Sequence, residues 1–185
     1  MSYDDVQRRI TAEIEQMMTA IPAVDVEALI AEIRRADRVF FVGVGRVMLS
    51  LQAIAKRLAH LGIDTVVVGQ ITEPAISTAD LLIVGSGSGE SAVPLAIARK
   101  ARQHGARVAH IGSNPNSSMR EFADVFVRIP VQTKLGLDGE VPSVQPMTSL
   151  FEQCLLLLGD CIALMLIERD GLDLHGLWRH HANLE

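Results

Sequence analysis

Aromatic residues are scarce in this chain. Its 185 residues include one Trp, one Tyr and five Phe, yet 49% are hydrophobic. A core this aliphatic and this poor in rings suits a buried parallel sheet flanked by helices. Cysteine is scarce too. Cys154 and Cys161 stand seven positions apart in a very apolar run. At helical spacing that is two turns, beyond the roughly 7 Å between Cα atoms that a disulfide allows. Both read as small core side chains in a reducing compartment. Excess positive charge is missing. The net charge of −5 argues against non-specific attraction to nucleic acid or to an anionic membrane. The longest apolar run, Cys154 to Ile167, is broken by Asp160. It falls short of the roughly 18 residues of a membrane span and reads as a buried core helix. Met1 to Arg9 is polar and charged, unlike a signal peptide, so the expected compartment is the cytoplasm. No His/Cys/Asp cluster has metal-ligand spacing, and no Walker loop, nucleophile elbow or helix-turn-helix extension is visible.

What the chain does have is the stretch Leu81-Leu82-Ile83-Val84-Gly85-Ser86-Gly87-Ser88-Gly89-Glu90-Ser91. An apolar run ends in a small, hydroxyl-rich loop. A helical pattern follows, with Val93, Ala96, Ile97 and Ala101 on one face. Strand, Gly/Ser loop and helix together present backbone N–H groups to an anion at the helix N-terminus. Ser86, Ser88 and Ser91 add hydroxyl donors, and glycines such as Gly89 let a ligand approach the backbone. The stretch therefore points to a bound phosphate group. A plain strand-to-helix turn also favours Gly and Ser, but needs fewer serines than this.

The rest of the chain alternates strand and helix patterns. Ile10, Ile14, Met17, Met18 and Ile21 form one helical stripe, stopped by Pro22. A second helix follows, with Asp25 as its expected N-cap and Val26, Leu29, Ile30 and Ile33 inward. Strands are expected at 38–42, 65–68, 81–84, 107–111 and 125–129. A helix is expected from about Met48 to Leu61, a long apolar one from about Met147 to Arg169, and a short one in the tail after Leu172. This order calls for a three-layer αβα sandwich with a five-stranded parallel sheet, within one domain over residues 1–185. Ligands of such sheets bind beyond the carboxyl ends of the strands, where all the glycine-rich loops fall. The segment Gln132 to Gln145, with Lys134, Gly136, Asp138, Gly139 and Pro142, reads as a longer loop that is either mobile or borders a site.

Other motifs admit two readings. Gly43-Val44-Gly45-Arg46 lacks the third glycine of a dinucleotide fingerprint, because Met48 stands there. Gly45 could still present N–H groups to a ligand and Arg46 could face an anion; otherwise this is a tight turn with a solvated arginine. Ser149-Leu150-Phe151-Glu152 fits a capping box, in which Glu152 reaches back to the cap N–H. The alternative makes Glu152 a general base in a largely apolar pocket. His180 and His181 are adjacent and cannot both point into one site from a regular helix. They are solvated tail, or one serves as an acid if the tail folds over a pocket. His110, inside a strand, reads as a satisfied core histidine, and His60, His104 and His175 as surface residues.

Taken together these residues resemble the sugar isomerase (SIS) domain family, whose phosphosugar signature looks like Ser86-Gly87-Ser88-Gly89-Glu90-Ser91. Within it the closer resemblance is to the 6-phospho-3-hexuloisomerase group. The matching pieces are Gly43 to Arg46, Arg57 to Gly62, Gly85 to Glu90, Ser113-Asn114-Pro115, Gln145-Pro146-Met147 with Ser149 to Gln153, and His180 to Glu185. The resemblance implies a flavodoxin-like SIS fold and interconversion of 3-hexulose 6-phosphate and fructose 6-phosphate through an enediol. No metal or cofactor is implied. Glu152 would be the base and His181 a second acid/base, entering a neighbouring subunit's site in a tetramer. Ser86, Ser88, Gly89 and Ser91 would hold the phosphate, with Gly45, Arg46 and Gln145 also at the substrate. The alternatives are a non-catalytic phosphosugar sensor and an isomerase of another sugar phosphate. Four positions depart from the family pattern. Val47-Met48 stand where Ser-Gly is usual, Gln70 where Glu is common, Glu73 where Thr precedes the proline, and Thr148 where glycine precedes Ser149.

Overall fold

The computed structural model describes residues 1–133 and 136–184; Lys134 of the loop and Glu185 of the tail lie outside them. The elements are α1 (Tyr3–Ala20), α2 (Ala23–Arg35), β1 (Val39–Val42), α3 (Gly45–His60), β2 (Thr65–Val67), β3 (Leu81–Gly85), α4 (Ala92–Gln103), β4 (Arg107–Gly112), β5 (Val125–Arg128) and α5 (Ser149–Asp170). Short 3-10 turns span Ser118–Glu121, Pro146–Thr148 and Gly176–His180.

The five strands form one parallel sheet in the order β2-β1-β3-β4-β5. β1 and β3 are buried along their whole length, as continuous apolar strands between two helical layers must be. One face packs against α2, α3 and α5 through Leu29, Leu51, Phe151 and Leu155. The other packs against α4 through Phe40, Val84, Ala98 and Ala101. The three-layer sandwich with a five-stranded parallel sheet is as expected. Chain direction across the sheet reverses between β1 and β3, so the loops after these two strands flank the crevice where α/β proteins bind ligands.

α3 and α5 run side by side in the same direction. Ile54 of α3 lies against Gly159 of α5, where a Cβ would come within 2.3 Å of it. Only glycine permits this approach. The crossing sets the register that brings the first turns of both helices together.

Several local expectations are corrected. α3 begins at Gly45 rather than near Met48, because Gly45 takes φ +58 and turns the chain directly into the helix. Pro22, not Asp25, is the N-cap of α2, and Asp25 lies in its first turn. The capping box at Ser149 does not form. Thr148 occupies the cap in the left-handed region, with no side-chain cap bond, and Ser149 Oγ donates to the Pro146 carbonyl at 2.7 Å instead. Cys154 is buried, and burial pushes its thiol up to about 12. Cys161 is exposed, contrary to its reading as core. It shares an uncovered face of α5 with Leu157 and Leu164. By length and composition, Pro146–Asp170 is apolar enough to cross a membrane, at a mean hydropathy of 2.0. Its buried residues pack on α1, α2 and α3, as in the core helix the sequence suggests.

Candidate active site

Two loops and one helix start converge at the carboxyl edge of β1 and β3. Gly43 and Gly85 close the two strands, and Val47 sits over both, within 3.3 Å and 2.9 Å of where their Cβ atoms would be. The Val47 side chain is thus packed into the end of the sheet. Gly87 rests on the Phe151 ring, its Cβ position 3.8 Å away, so the serine loop lies one residue from Glu152.

The serine loop is tied down from below. Gly89, at φ +68, turns its N–H back to Ser86, donating to the hydroxyl at 3.1 Å and to the carbonyl at 3.2 Å. Its part is therefore the turn itself, with the amide already bonded. Ser86 Oγ, buried, lies 3.3 Å from Ser91 Oγ. Ser88 Oγ accepts from the Glu90 N–H at 3.2 Å. The neighbouring loop after β4 supplies the remaining ties. Ser113 and Asn114 N–H groups donate to the Gly87 carbonyl at 2.8 and 3.1 Å, and Asn114 Nδ2 donates to the Ser88 carbonyl at 3.2 Å. His110 Nε2 lies 2.9 Å from the Ser86 carbonyl.

These bonds leave the amides of Gly87, Ser88, Ala92 and Val93 without partners among the described residues, beside three hydroxyls. The Ser91 side chain makes no cap bond to α4. The one carboxylate in the loop is turned away. Glu90 accepts the Ser118 N–H at 2.7 Å, and backbone and side-chain bonds from Ser118 hold its pKa below the usual range. No acidic residue stands in the first turn of α4. Donor groups and the positive end of a helix therefore meet in one place, which is what an anion requires.

Across the crevice, Arg46 Nε pairs with the carboxylate of Glu152. The Glu152 side chain is 10% exposed and that of Arg46 66% exposed. Ser50 Oγ donates to the Glu152 carbonyl at 2.9 Å, fixing the start of α5 to α3. A carboxylate so held is aimed and largely dry, and it can accept a proton from a molecule anchored at the serine loop.

Gln145 is engaged within the protein. Its Nε2 donates to Glu13 at 3.1 Å and its Oε1 accepts from Gln153 at 2.9 Å. Glu13, on α1, also accepts from Ser143 Oγ at 2.7 Å and from the Val144 N–H at 2.8 Å. Burial opposes ionisation of Glu13, but these bonds together outweigh it and hold its pKa down. Glu13 thus clamps the segment ahead of Met147 and Thr148, both left-handed at φ 54 and 62.

His181 lies elsewhere in its own chain. Its ring centroid is 5.2 Å from that of His60 and 5.0 Å from that of Trp178. His60 ends α3 and Arg46 lies in its first turn, a separation of about 21 Å along the axis. The tail does fold over a cavity, of about 570 Å³, lined by Arg57, His60, Asp160, Leu164, Trp178 and His181. That cavity is at the far end of α3 from the serine loop. Serine loop, Gly45, Arg46 and Glu152 are brought together, and His181 is not. Nothing in the sequence marks Glu13 or His110 as part of this site, and Asn114 has only the Ser113-Asn114-Pro115 loop as a signal.

A model of the SIS domain matches residues 32–157. The chain belongs to the SIS domain family. Among its relatives, a 3-hexulose-6-phosphate isomerase of Bacillus subtilis is 38% identical over 185 residues, covering 100% of both chains. One of Mycobacterium gastri is 36% identical over 185 residues, covering 98% of this chain and 92% of its own. The SIS fold is also seen in a solved Methanococcus jannaschii protein for which a 3-hexulose-6-phosphate isomerase function has been inferred. It has a TM-score of 0.84 and 27% identity, covering 98% of this chain and 99% of that one. Glu13 and the rest of α1 lie outside the SIS match, so part of the support for this SIS site comes from beyond the family's common region.

Proposed function

We propose that this SIS protein interconverts 3-hexulose 6-phosphate and fructose 6-phosphate. The chain is a sugar-phosphate isomerase. The finer reading rests on one observation above the others: a buried, arginine-paired carboxylate stands across a crevice from a loop whose hydroxyls lie beside amides without partners among the described residues. The loop of Ser86, Ser88 and Ser91 anchors the phosphate at one end of the sugar. Glu152 takes the proton from C2 and the C3 oxygen gains one, giving an enediol across C2 and C3. Glu152 then returns its proton at C3 while the C2 hydroxyl gives up its own, so that the carbonyl moves from C3 to C2; the second acid/base carries the proton between the two oxygens. Arg46 stabilises the negative oxygen that develops. The whole chain works as one SIS domain, in the cytoplasm, consistent with two free cysteines.

A homo-oligomer, most simply a tetramer, completes the site. His181 is the second acid/base and comes from a neighbouring subunit. Two features support this. His181 is a helix length from Glu152 of its own chain, and Leu49, Val93 and Met147 beside the site are uncovered apolar side chains.

The test is a coupled assay of fructose 6-phosphate formation from 3-hexulose 6-phosphate, run beside a pentulose 5-phosphate. Turnover restricted to the hexulose is expected; turnover restricted to the pentulose would overturn the substrate assignment. Mixing inactive Glu152→Gln and His181→Ala proteins after dissociation should restore part of the activity. If the mixture stays inactive, the shared site is wrong.

A further inference from the structure

We infer that His110 is a positioning residue for the anion loop: its Nε2–H holds the Ser86 carbonyl inward and thereby turns the Gly87 N–H outward to the ligand. This rests on the reading of the loop as a phosphate cradle.

His110 lies in the middle of β4 and is fully buried. Its Nε2 is 2.9 Å from the Ser86 carbonyl oxygen. A carbonyl only accepts, so Nε2 carries the proton and the neutral ring has a bare Nδ1. Burial holds the ring neutral, with its pKa pushed down to about 4. His110 thus acts here as a directional donor, with no net charge.

The consequence follows from peptide geometry. In a trans peptide the C=O and the following N–H point in opposite directions. With the Ser86 C=O drawn down to His110, the Gly87 N–H points out of the fold. The next peptide is set in the same way. The Gly87 C=O accepts from Ser113 and Asn114, which turns the Ser88 N–H away from that loop. Neither the Gly87 nor the Ser88 amide has a partner among the described residues.

Two glycines make room for this bond. A Cβ on Gly112 would come within 2.4 Å of His110 Nε2 and 2.5 Å of the Ser86 oxygen. A Cβ on Gly89 would come within 3.1 Å of His110 Cε1. Ring and carbonyl meet through space that only glycine leaves open. Without the donor, the buried carbonyl would keep only the longer bond from the Gly89 N–H, and the peptide would be free to turn, taking the Gly87 N–H with it. The loss falls on binding, since Glu152 sits on another element.

The experiment compares wild type, His110→Phe and His110→Gln. Phe keeps a ring without the donor; Gln places an amide N–H near the position of Nε2. Binding of inorganic phosphate by calorimetry, and KM and kcat for the sugar phosphate, are the readouts. The expected result is binding weakened about tenfold or more in His110→Phe, with KM raised in step and kcat little changed, and recovery in His110→Gln. Wild type that fails to bind inorganic phosphate overturns the cradle reading itself. Wild type that binds, with an equally tight His110→Phe, overturns only the role of His110. Should His110→Phe not fold, nitrogen-15 NMR of the wild type decides. An Nε2–H tautomer whose signal shifts on phosphate saturation supports the role; an Nδ1–H tautomer, or a signal that does not move, overturns it.

Discussion

Arg46, in the first turn of α3, is paired through Nε with the carboxylate of Glu152, in the first turn of α5. The two residues are 106 positions apart in sequence. Their meeting depends on the parallel run of the two helices and on the close approach at Gly159. Arg46→Ala is expected to lower kcat by about tenfold or more, because both the aim of Glu152 and the charge facing the enediolate are lost. Arg46→Lys should recover only part, since a point charge cannot reproduce the guanidinium geometry. Steady-state kinetics of the two variants measures this; equal activity in all three proteins would show that the pair is structural.

Ser88→Ala should raise KM markedly and leave the fold intact. Ser88, whose hydroxyl accepts from the Glu90 N–H, is a partly exposed residue of the loop. A single lost hydrogen bond is worth about 0.5–1.5 kcal/mol, or up to roughly tenfold in binding. An unchanged KM would put the phosphate elsewhere.

Thr148 is a β-branched residue at φ 62, a conformation that costs roughly 1–2 kcal/mol outside glycine. Glycine there gives up part of that gain in chain entropy. Thr148→Gly is therefore expected to stabilise the protein by up to about 1 kcal/mol, read as a higher midpoint in urea. A lower midpoint would show that the bond from Thr148 Oγ1 to the Met147 carbonyl outweighs the strain.

His110 also gives the protein a specific acid sensitivity. Its ordinary value is 6.5, and burial lowers it to about 4 in the fold, aided by the nearby positive Arg120 and opposed by the Ser86 bond. Between these values the unfolded chain binds the proton more readily. The fold carries no protonation penalty from this group above about pH 6.5 and an increasing one as pH falls toward 4. The full effect is about 3 kcal/mol. Urea denaturation at pH 7 and pH 4.5 should show a larger acid loss in wild type than in His110→Gln; equal losses would contradict the buried neutral ring.

The sandwich was legible because Val39–Val42 and Leu81–Gly85 are apolar runs that end in glycine, with helical periodicity after each. The serine loop was legible because its chemistry is contiguous. Helix starts were less so. Gly45 reads as a turn until its positive φ is seen to lead straight into α3, and Thr148 does not announce a left-handed cap. The Glu152 carboxylate fitted a local cap, and only the tertiary pairing with Arg46 gives it a different partner. The resemblance puts Gln145 at the substrate, whereas its amide meets Glu13 and Gln153. Cys161 looked buried because α5 is apolar all round, and periodicity does not say which face is left uncovered.

The most direct measurement is turnover of 3-hexulose 6-phosphate by wild type and by Glu152→Gln at matched folding, checked by circular dichroism and thermal midpoint. The account expects measurable isomerisation by wild type and a loss of about 10²-fold or more in kcat for the variant, with the midpoint little changed. Full activity in Glu152→Gln would contradict it and leave Glu152 as a structural partner of Arg46.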